Sequence, residues 1–172
     1  MDINAKLNLL KTKMTAMEAI LLAYSGGVDS SLLLKVAGSI PIRVLAVTAS
    51  SPIRPEAEIK AAKILAAEID VPHLVITTDE IHNNNFRTNP PERCYYCKKE
   101  LMARLNELAT QYNLKVIVDG TNAEDAADFR PGNKATEEYG IRSPLQEVNL
   151  TKTEIRLLAK HLGLPNWNKP AQ

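Results

Sequence analysis

Two short stretches carry residue types that could do chemistry: Ser25-Gly26-Gly27-Val28-Asp29-Ser30-Ser31 and Cys94-Tyr95-Tyr96-Cys97. In the first, adjacent glycines let the backbone turn sharply and approach a ligand with no Cβ in the way. Leu32, Leu33, Val36 and Ala37 follow at helical spacing, so the turn feeds a helix whose first N–H groups carry partial positive charge. The hydroxyls of Ser25, Ser30 and Ser31 add donors. Such a turn can cradle a phosphate. It is too short for the Walker pattern and has no Lys-Ser/Thr pair, so it differs from the loop of kinases and GTPases. The competing explanation is a plain glycine turn between strand and helix. In the second stretch, two thiols enter a helix beside Arg93, Lys98 and Lys99, an environment that favours thiolates. Three uses are open: a zinc site, for which His73, His82 and His161 show no ligand spacing; a dithiol–disulfide couple, without thioredoxin-like surroundings; or ligation of an iron–sulfur cluster.

The elements that hold these groups follow from hydrophobic periodicity. Short apolar runs at 19–24, 42–48, 73–78 and 115–120 lack polar alternation, as strands buried on both faces do. Between them lie helical patterns at 29–38, 55–69 and 97–113, with a last one at 150–164. Alternation of this kind predicts an α/β fold, a doubly wound parallel sheet with helices on both faces. Gly38 reads as the residue just past the end of the first of these helices. Pro55 opens the next, in which Ile59, Ala62, Ala66 and Ile69 form the apolar stripe and Glu56, Glu58, Lys60 and Lys63 face water. Thr151 and Glu154 have capping-box spacing. The polar segment after the strand at 115–120 lies at the sheet edge where ligands bind in such folds. Asp119, Gly120, Thr121 and Asn122 end that strand with polar side chains expected to face this edge, followed by Glu124, Asp125, Asp128 and Arg130, with Arg142 further on as a second anion contact, although a solvated loop is the better account of any one acid taken alone. Trp167 reads as a packing anchor.

Composition limits the function classes. A chain of 172 residues fits one domain, residues 1–172, that buries roughly two thirds of its unfolded surface. With 21 basic and 20 acidic side chains there is no one-signed field to gather nucleic acid, and no nucleic-acid partner is expected. No apolar run approaches the ~20 residues that span a bilayer. The chain reads as soluble and cytoplasmic, without a membrane partner, and two cysteines are too few for a secreted disulfide scaffold.

The string SGGVDS, between a strand and a helix, resembles the pyrophosphatase loop of the ATP-pyrophosphatase (PP-loop) superfamily, whose members share a Rossmann-like adenine nucleotide alpha hydrolase fold. The longer set PPERCYYCKKEL, VDGTNAEDAADFRPG, RSPLQE and GLPNWNKPAQ resembles, over essentially the whole chain, the LarE-type ATP-dependent sulfur transferases of nickel-pincer nucleotide maturation for lactate racemase. That resemblance implies an enzyme that adenylates a carboxylate of a pyridinium dicarboxylate mononucleotide, releases pyrophosphate, and leaves a thiocarboxylate. It implies ATP contacts at Ala23, Ser25, Gly26, Gly27, Val28, Asp29, Ser30, Ser31, Thr48, Ala49 and Gly120. Asp29 could bind Mg²⁺ or cap the helix, and Asp125 and Asp128 are further possible Mg²⁺ ligands. Catalytic roles are implied for Asp29, Cys94, Cys97, Asp119 and Arg130. Cys94 and Cys97 match two of three cysteines that hold a [4Fe-4S] cluster in some members. The third is expected just past Gln172, with a smaller C-terminal domain beyond it, so this chain is expected to assemble a cluster poorly; it reads first as part of a longer protein, with a natural short form or a subunit whose partner supplies the missing ligand as the alternatives. Expected partners are a small nucleotide substrate, further copies of the chain in a homo-oligomer, and a sulfur donor or cofactor-maturation protein. A tRNA-thiolating enzyme, an NAD or GMP synthetase-like adenylating enzyme, and a non-catalytic ATP-binding module are the alternatives.

Overall fold

A computed structural model describes residues 1–50, 55–77, 93–125 and 140–170, excluding the side chains of residues 93–98. Helix α1 (Ile3–Met17) leads into β1 (Ala19–Ala23), α2 (Val28–Gly38), β2 (Arg43–Ser50), α3 (Glu56–Ile69) and β3 (His73–Thr77). Then come α4 (Arg93–Gln111), β4 (Val116–Val118), the single turn α5 (Pro144–Glu147) and α6 (Lys152–His161). The strands form a parallel sheet in the order β3-β2-β1-β4. The chain therefore builds outward from β1 in one direction and then crosses to its other side. The switch point lies between β1 and β4.

Alternation along the strands sorts the apolar side chains into two cores. Ile20, Leu22, Ala46 and Val118 face a large cluster closed by α1, α2, α3, α5 and α6, with Leu10, Leu33, Ala66, Leu145 and Ile155 at its centre. Leu21, Val47, Ile76 and Ile117 face the opposite cluster, which α4 closes with Met102, Leu105, Leu108 and Ala109. Both faces are covered, as the unbroken apolar runs predict. Among the described residues, no helix is long and apolar enough to cross a membrane.

Helix boundaries follow local chemistry. Thr151 and Glu154 form the reciprocal capping box at α6. Its other end closes on Gly163 at φ +80, with Gly163 N–H donating to Lys160 O (3.1 Å) and Leu164 N–H to Ala159 O (2.9 Å). Pro55 is the N-cap of α3 rather than its first residue. Gly38 departs from expectation: it is the last residue of α2, with Ser39 as C-cap, and does not take a left-handed conformation. Packing explains the glycine, since a Cβ there would lie 2.8 Å from Ile69 Cγ2 and 3.2 Å from Val71 Cγ2. Gly38→Ala should therefore destabilise the fold by about 1–2 kcal/mol in urea unfolding, crowding outweighing the helix propensity that alanine adds.

Two further differences bear on the site. Strand β4 is only three residues long, and on its outer edge Asp119 N–H donates to Arg142 O (3.0 Å) while Arg142 N–H donates to Ile117 O (3.0 Å). The segment at Arg142 thus extends the sheet beside β4. Helix α4 starts at Arg93, before Cys94, so both cysteines fall within its first turns.

Candidate functional site

At the switch point β1 delivers the chain through Tyr24 to the glycine turn. Tyr24 is buried and fixed, with its N–H donating to Val47 O (2.9 Å) and its hydroxyl to Ala62 O (3.1 Å). Burial pushes its phenol up to about 12. Gly26 then takes φ +86, a conformation open to glycine and strained for residues with a Cβ. Gly27 is the N-cap of α2, and no side chain caps that helix. The leading N–H groups of Val28, Asp29 and Ser30 have no carbonyl of their own helix to bond, the arrangement that lets a helix start receive an anion.

The serines shape the turn. Ser30 Oγ accepts from Ser25 N–H (3.1 Å) and lies 3.0 Å from Ser25 Oγ, which accepts from Gly27 N–H at 3.2 Å. The loop is thus held open by its own hydroxyls. Gly120, just past β4, lies against it: a Cβ there would sit 3.0 Å from Ser30 N and 3.3 Å from Asp29 Cβ. Its missing side chain lets β4 close on the start of α2. Ala23, the last residue of β1, pairs with Val47 beneath the turn.

Polar partners from three distant segments converge here. Lys152 Nζ donates to Asp29 Oδ1 (2.9 Å), and Asn122 Nδ2 donates to Asp29 Oδ2 (3.2 Å). Asn122 is buried and seated in a tight turn, its Oδ1 accepting from the N–H groups of Glu124 (2.9 Å) and Asp125 (3.0 Å). Asp125 Oδ2 accepts from Asn122 N–H (3.1 Å), so this carboxylate supports that turn. Asp119 is 4% exposed. Its Oδ1 accepts from Ser143 Oγ (2.7 Å) and Thr121 N–H (3.2 Å), whereas its buried Oδ2 has no partner among the described residues. A buried carboxylate oxygen with an unmet bonding capacity beside an anion cradle suits a cation or a ligand donor. Among the described residues, no three His, Cys, Asp or Glu side chains form a ready metal cage.

At the end of β2, Thr48 is fully buried and its hydroxyl is committed, donating to Tyr24 O (2.8 Å) and pairing with His73 Nε2 (2.6 Å). Because that hydroxyl proton goes to a carbonyl, His73 must supply the Nε2–H. Burial first, and Lys63 second, lower the imidazole below its ordinary value and keep it neutral. Any nucleotide contact by Thr48 falls to its main chain. Ala49 follows it where β2 runs on past the end of β1.

The structure therefore brings Ser25, Gly26, Gly27, Asp29, Ser30, Asp119 and Gly120 together, with Ser31 packed behind them. Asp29 does not cap the helix; it is held by Lys152 and Asn122. Arg142 does not join them: its guanidinium grips Glu147, Nε at 3.1 Å from Oε2 and Nη2 at 2.6 Å from Oε1, holding that carboxyl below the usual range. An intramolecular ion pair has taken the anion contact expected of it. Trp167 packs on the larger core with Lys160 Nζ 4.8 Å from its ring centroid, as an anchor should. Asp128, Arg130 and the side chains of Cys94 and Cys97 lie outside the described residues. Asn122, at the polar end of the fourth apolar run, was expected to face this edge and does so; sequence reasoning missed Ser143, Lys152 and Asn166. Only Lys152 left a signal, a cation at the first position of a helix where the dipole favours acids.

A family model described as NAD synthase matches residues 3–169 of this chain. The chain belongs to that family of PP-loop proteins. Among curated relatives, the pyridinium-3,5-bisthiocarboxylic acid mononucleotide synthase of Lactiplantibacillus plantarum is 40% identical over 157 residues, 90% of this chain and 57% of that protein. The chain spans about three fifths of the length of the curated relatives it matches. Of solved structures, NMN synthetase from Francisella tularensis superposes with a TM-score of 0.77 at 20% identity, covering 99% of this chain and 74% of that one. The U34-tRNA thiolase NcsA from Methanococcus maripaludis, with its [4Fe-4S] cluster, gives 0.69 at 18% identity, covering 98% and 68%. The NAD synthase family fold is the one these neighbours share, and the glycine turn of this member lies at its switch point.

Proposed function

We propose that this chain is the ATP-pyrophosphatase domain of a sulfur transferase that converts a carboxylate of a pyridinium dicarboxylate mononucleotide into a thiocarboxylate. A substrate carboxylate oxygen attacks the α phosphorus of ATP, pyrophosphate leaves, and sulfide then displaces AMP from the acyl adenylate. The observation that carries the reading is the uncapped start of α2 with Lys152 and Asp29 beside it. The leaving pyrophosphate needs donors and positive charge there, and a carboxylate nucleophile needs no base. The 40% identical synthase supports the choice of substrate.

In this reading the main-chain N–H groups of Val28, Asp29 and Ser30 hold the β and γ phosphates, and Lys152 meets them from α6. Adenine lies against the main chain at Thr48 and Ala49, with Ala23 and Gly120 lining the floor. Mg²⁺ is the counter-ion of the triphosphate, and Asp29 and the open oxygen of Asp119 are the ligands this chain offers, with Asp125 and Asp128 further along. Arg130 contacts the substrate phosphate. Cys94 and Cys97, one turn apart in α4, would hold an iron–sulfur cluster that brings the sulfide, together with a third thiolate from outside this chain. The protein acts in the cytoplasm as a homo-oligomer supplied by a sulfur donor or cofactor-maturation partner, with residues 1–172 as one domain of a longer chain.

A second reading, amide formation from the same kind of adenylate with ammonia, is favoured by the family model's description. Pyrophosphate release from ATP and Mg²⁺, with and without the pyridinium dicarboxylate mononucleotide, tests the first half-reaction. Substrate-dependent release is expected, and its absence would sink the proposal. In a protein that supplies the third thiolate, Cys94→Ser should leave that release within about twofold while abolishing thiocarboxylate formation by mass spectrometry. Ammonia-dependent AMP formation with no sulfur uptake would favour the second reading.

A further inference from the structure

Two adjacent glycines create a weakness in the loop they make possible. A peptide unit between glycines can rotate by half a turn, because the positive φ that Gly27 would then take costs glycine little. Rotation would turn the Gly26 carbonyl to the side now occupied by the Gly27 N–H. An oxygen facing an anion cradle repels phosphate, so a working cradle needs this peptide locked.

Both ends of the peptide are held. Gly27 N–H donates to Ser25 Oγ at 3.2 Å, and Gly26 O accepts from Asn166 Nδ2 at 2.9 Å. Asn166 lies 140 residues further along the chain. Its amide orientation is fixed by its neighbours, since Gly26 O can only accept. The same Nδ2 donates to Ser31 Oγ at 3.0 Å. The donor therefore points at the loop, and the buried Asn166 Oδ1 has no partner among the described residues. An asparagine kept with half of its amide unsatisfied is there for its donor half. Its own position is set on both sides, by buried Leu164 after the glycine end of α6 and by Trp167 packed on the core.

We propose that Asn166 is a positioning residue for the phosphate site, locking the Gly26–Gly27 peptide with its carbonyl turned out of the cradle and tying the chain that follows α6 to the loop. It touches neither phosphate nor substrate and acts through Gly26 O. The inference rests on reading the glycine turn as a phosphate cradle.

The test separates a donor from a space-filler. Asn166→Asp keeps the shape but replaces the donor by an oxygen facing Gly26 O, whereas Asn166→Ala removes shape and donor together. Calorimetric titration with ATP and with inorganic pyrophosphate should show Asn166→Ala weakened roughly tenfold and Asn166→Asp weakened more than Asn166→Ala. In pyrophosphate release the KM for ATP should rise in the same order, with the KM for the mononucleotide unmoved. If Asn166→Asp matches the parent while Asn166→Ala is impaired, the residue only fills space and the proposal fails. Parental binding by both variants also overturns it. A parent chain that binds neither ligand overturns the phosphate-cradle reading itself.

Discussion

Gly26→Val is expected to lower ATP binding and pyrophosphate release by at least ~100-fold and to reduce unfolding free energy by about 1–3 kcal/mol. Gly26 sits at φ +86, and a β-branched side chain in that region is a genuine outlier that carries strain of this size. Its Cβ would already lie 3.4 Å from Ala62 Cβ, so the added methyls have α3 to contend with as well. The backbone can relieve the strain only by leaving the left-handed region. Doing so breaks the bonds that Ser25 Oγ and Asn166 Nδ2 make to the following peptide. The neighbouring glycine supplies the control. Gly27 has φ −72 and ψ 169, which any residue adopts, and a Cβ there meets only Ser25 Oγ at 3.4 Å. Gly27→Ala should keep the parent's unfolding midpoint and lose less binding than Gly26→Val. Equal stability and ATP affinity in Gly26→Val and the parent would refute the role given to the left-handed turn.

That contrast marks what was legible in the sequence. Local rules act over a few residues, and where they governed, expectation and structure agree: unbroken apolar runs became strands covered on both faces, TKTE became a capping box, and SGGVDS became a strand-to-helix turn with an uncapped helix start. Gly38 shows how one residue type serves two purposes. Its role depends on Ile69 and Val71 in a later helix and its exit, and no local pattern separates a packing glycine from a helix-ending one. Arg142 and Lys152 are both cations near polar loops in sequence. Only the fold shows that the first is taken up by Glu147 and the second delivered to Asp29.

Three polar members of the site were illegible for the same reason. Lys152 and Asn166 reach the loop from 123 and 140 residues away, and Ser143 reaches Asp119 across 24. Side-chain hydrogen bonds at such separations leave no periodicity. What the sequence offers instead is local inconsistency, a residue placed where its own element gains nothing from it, and Lys152 at the start of α6 is the plainest case.

Lys152→Met turns that inconsistency into an experiment in which stability and activity should move differently. At the first position of α6 the ammonium opposes the helix dipole, an effect of about 0.3–1 kcal/mol. Its pair with Asp29 is partly exposed, both side chains retaining about a fifth of their accessibility, and such a pair contributes ~0–1 kcal/mol. The two terms nearly cancel, so unfolding free energy should change by less than ~1 kcal/mol. Methionine retains the length and apolar stem of the lysine, which limits any loss of packing. Pyrophosphate release has no such compensation: an ammonium at the leaving phosphates is removed, and the rate should fall by roughly 100-fold or more. Asp29→Ala should also be severe, and because Asp29 and Lys152 act on the same phosphates, the double variant should be little worse than either single one. Urea unfolding and pyrophosphate release measured on the three variants decide the matter. Parallel losses of stability and rate in Lys152→Met would make the lysine structural, and an unchanged rate would leave Asp29 without the partner assigned to it.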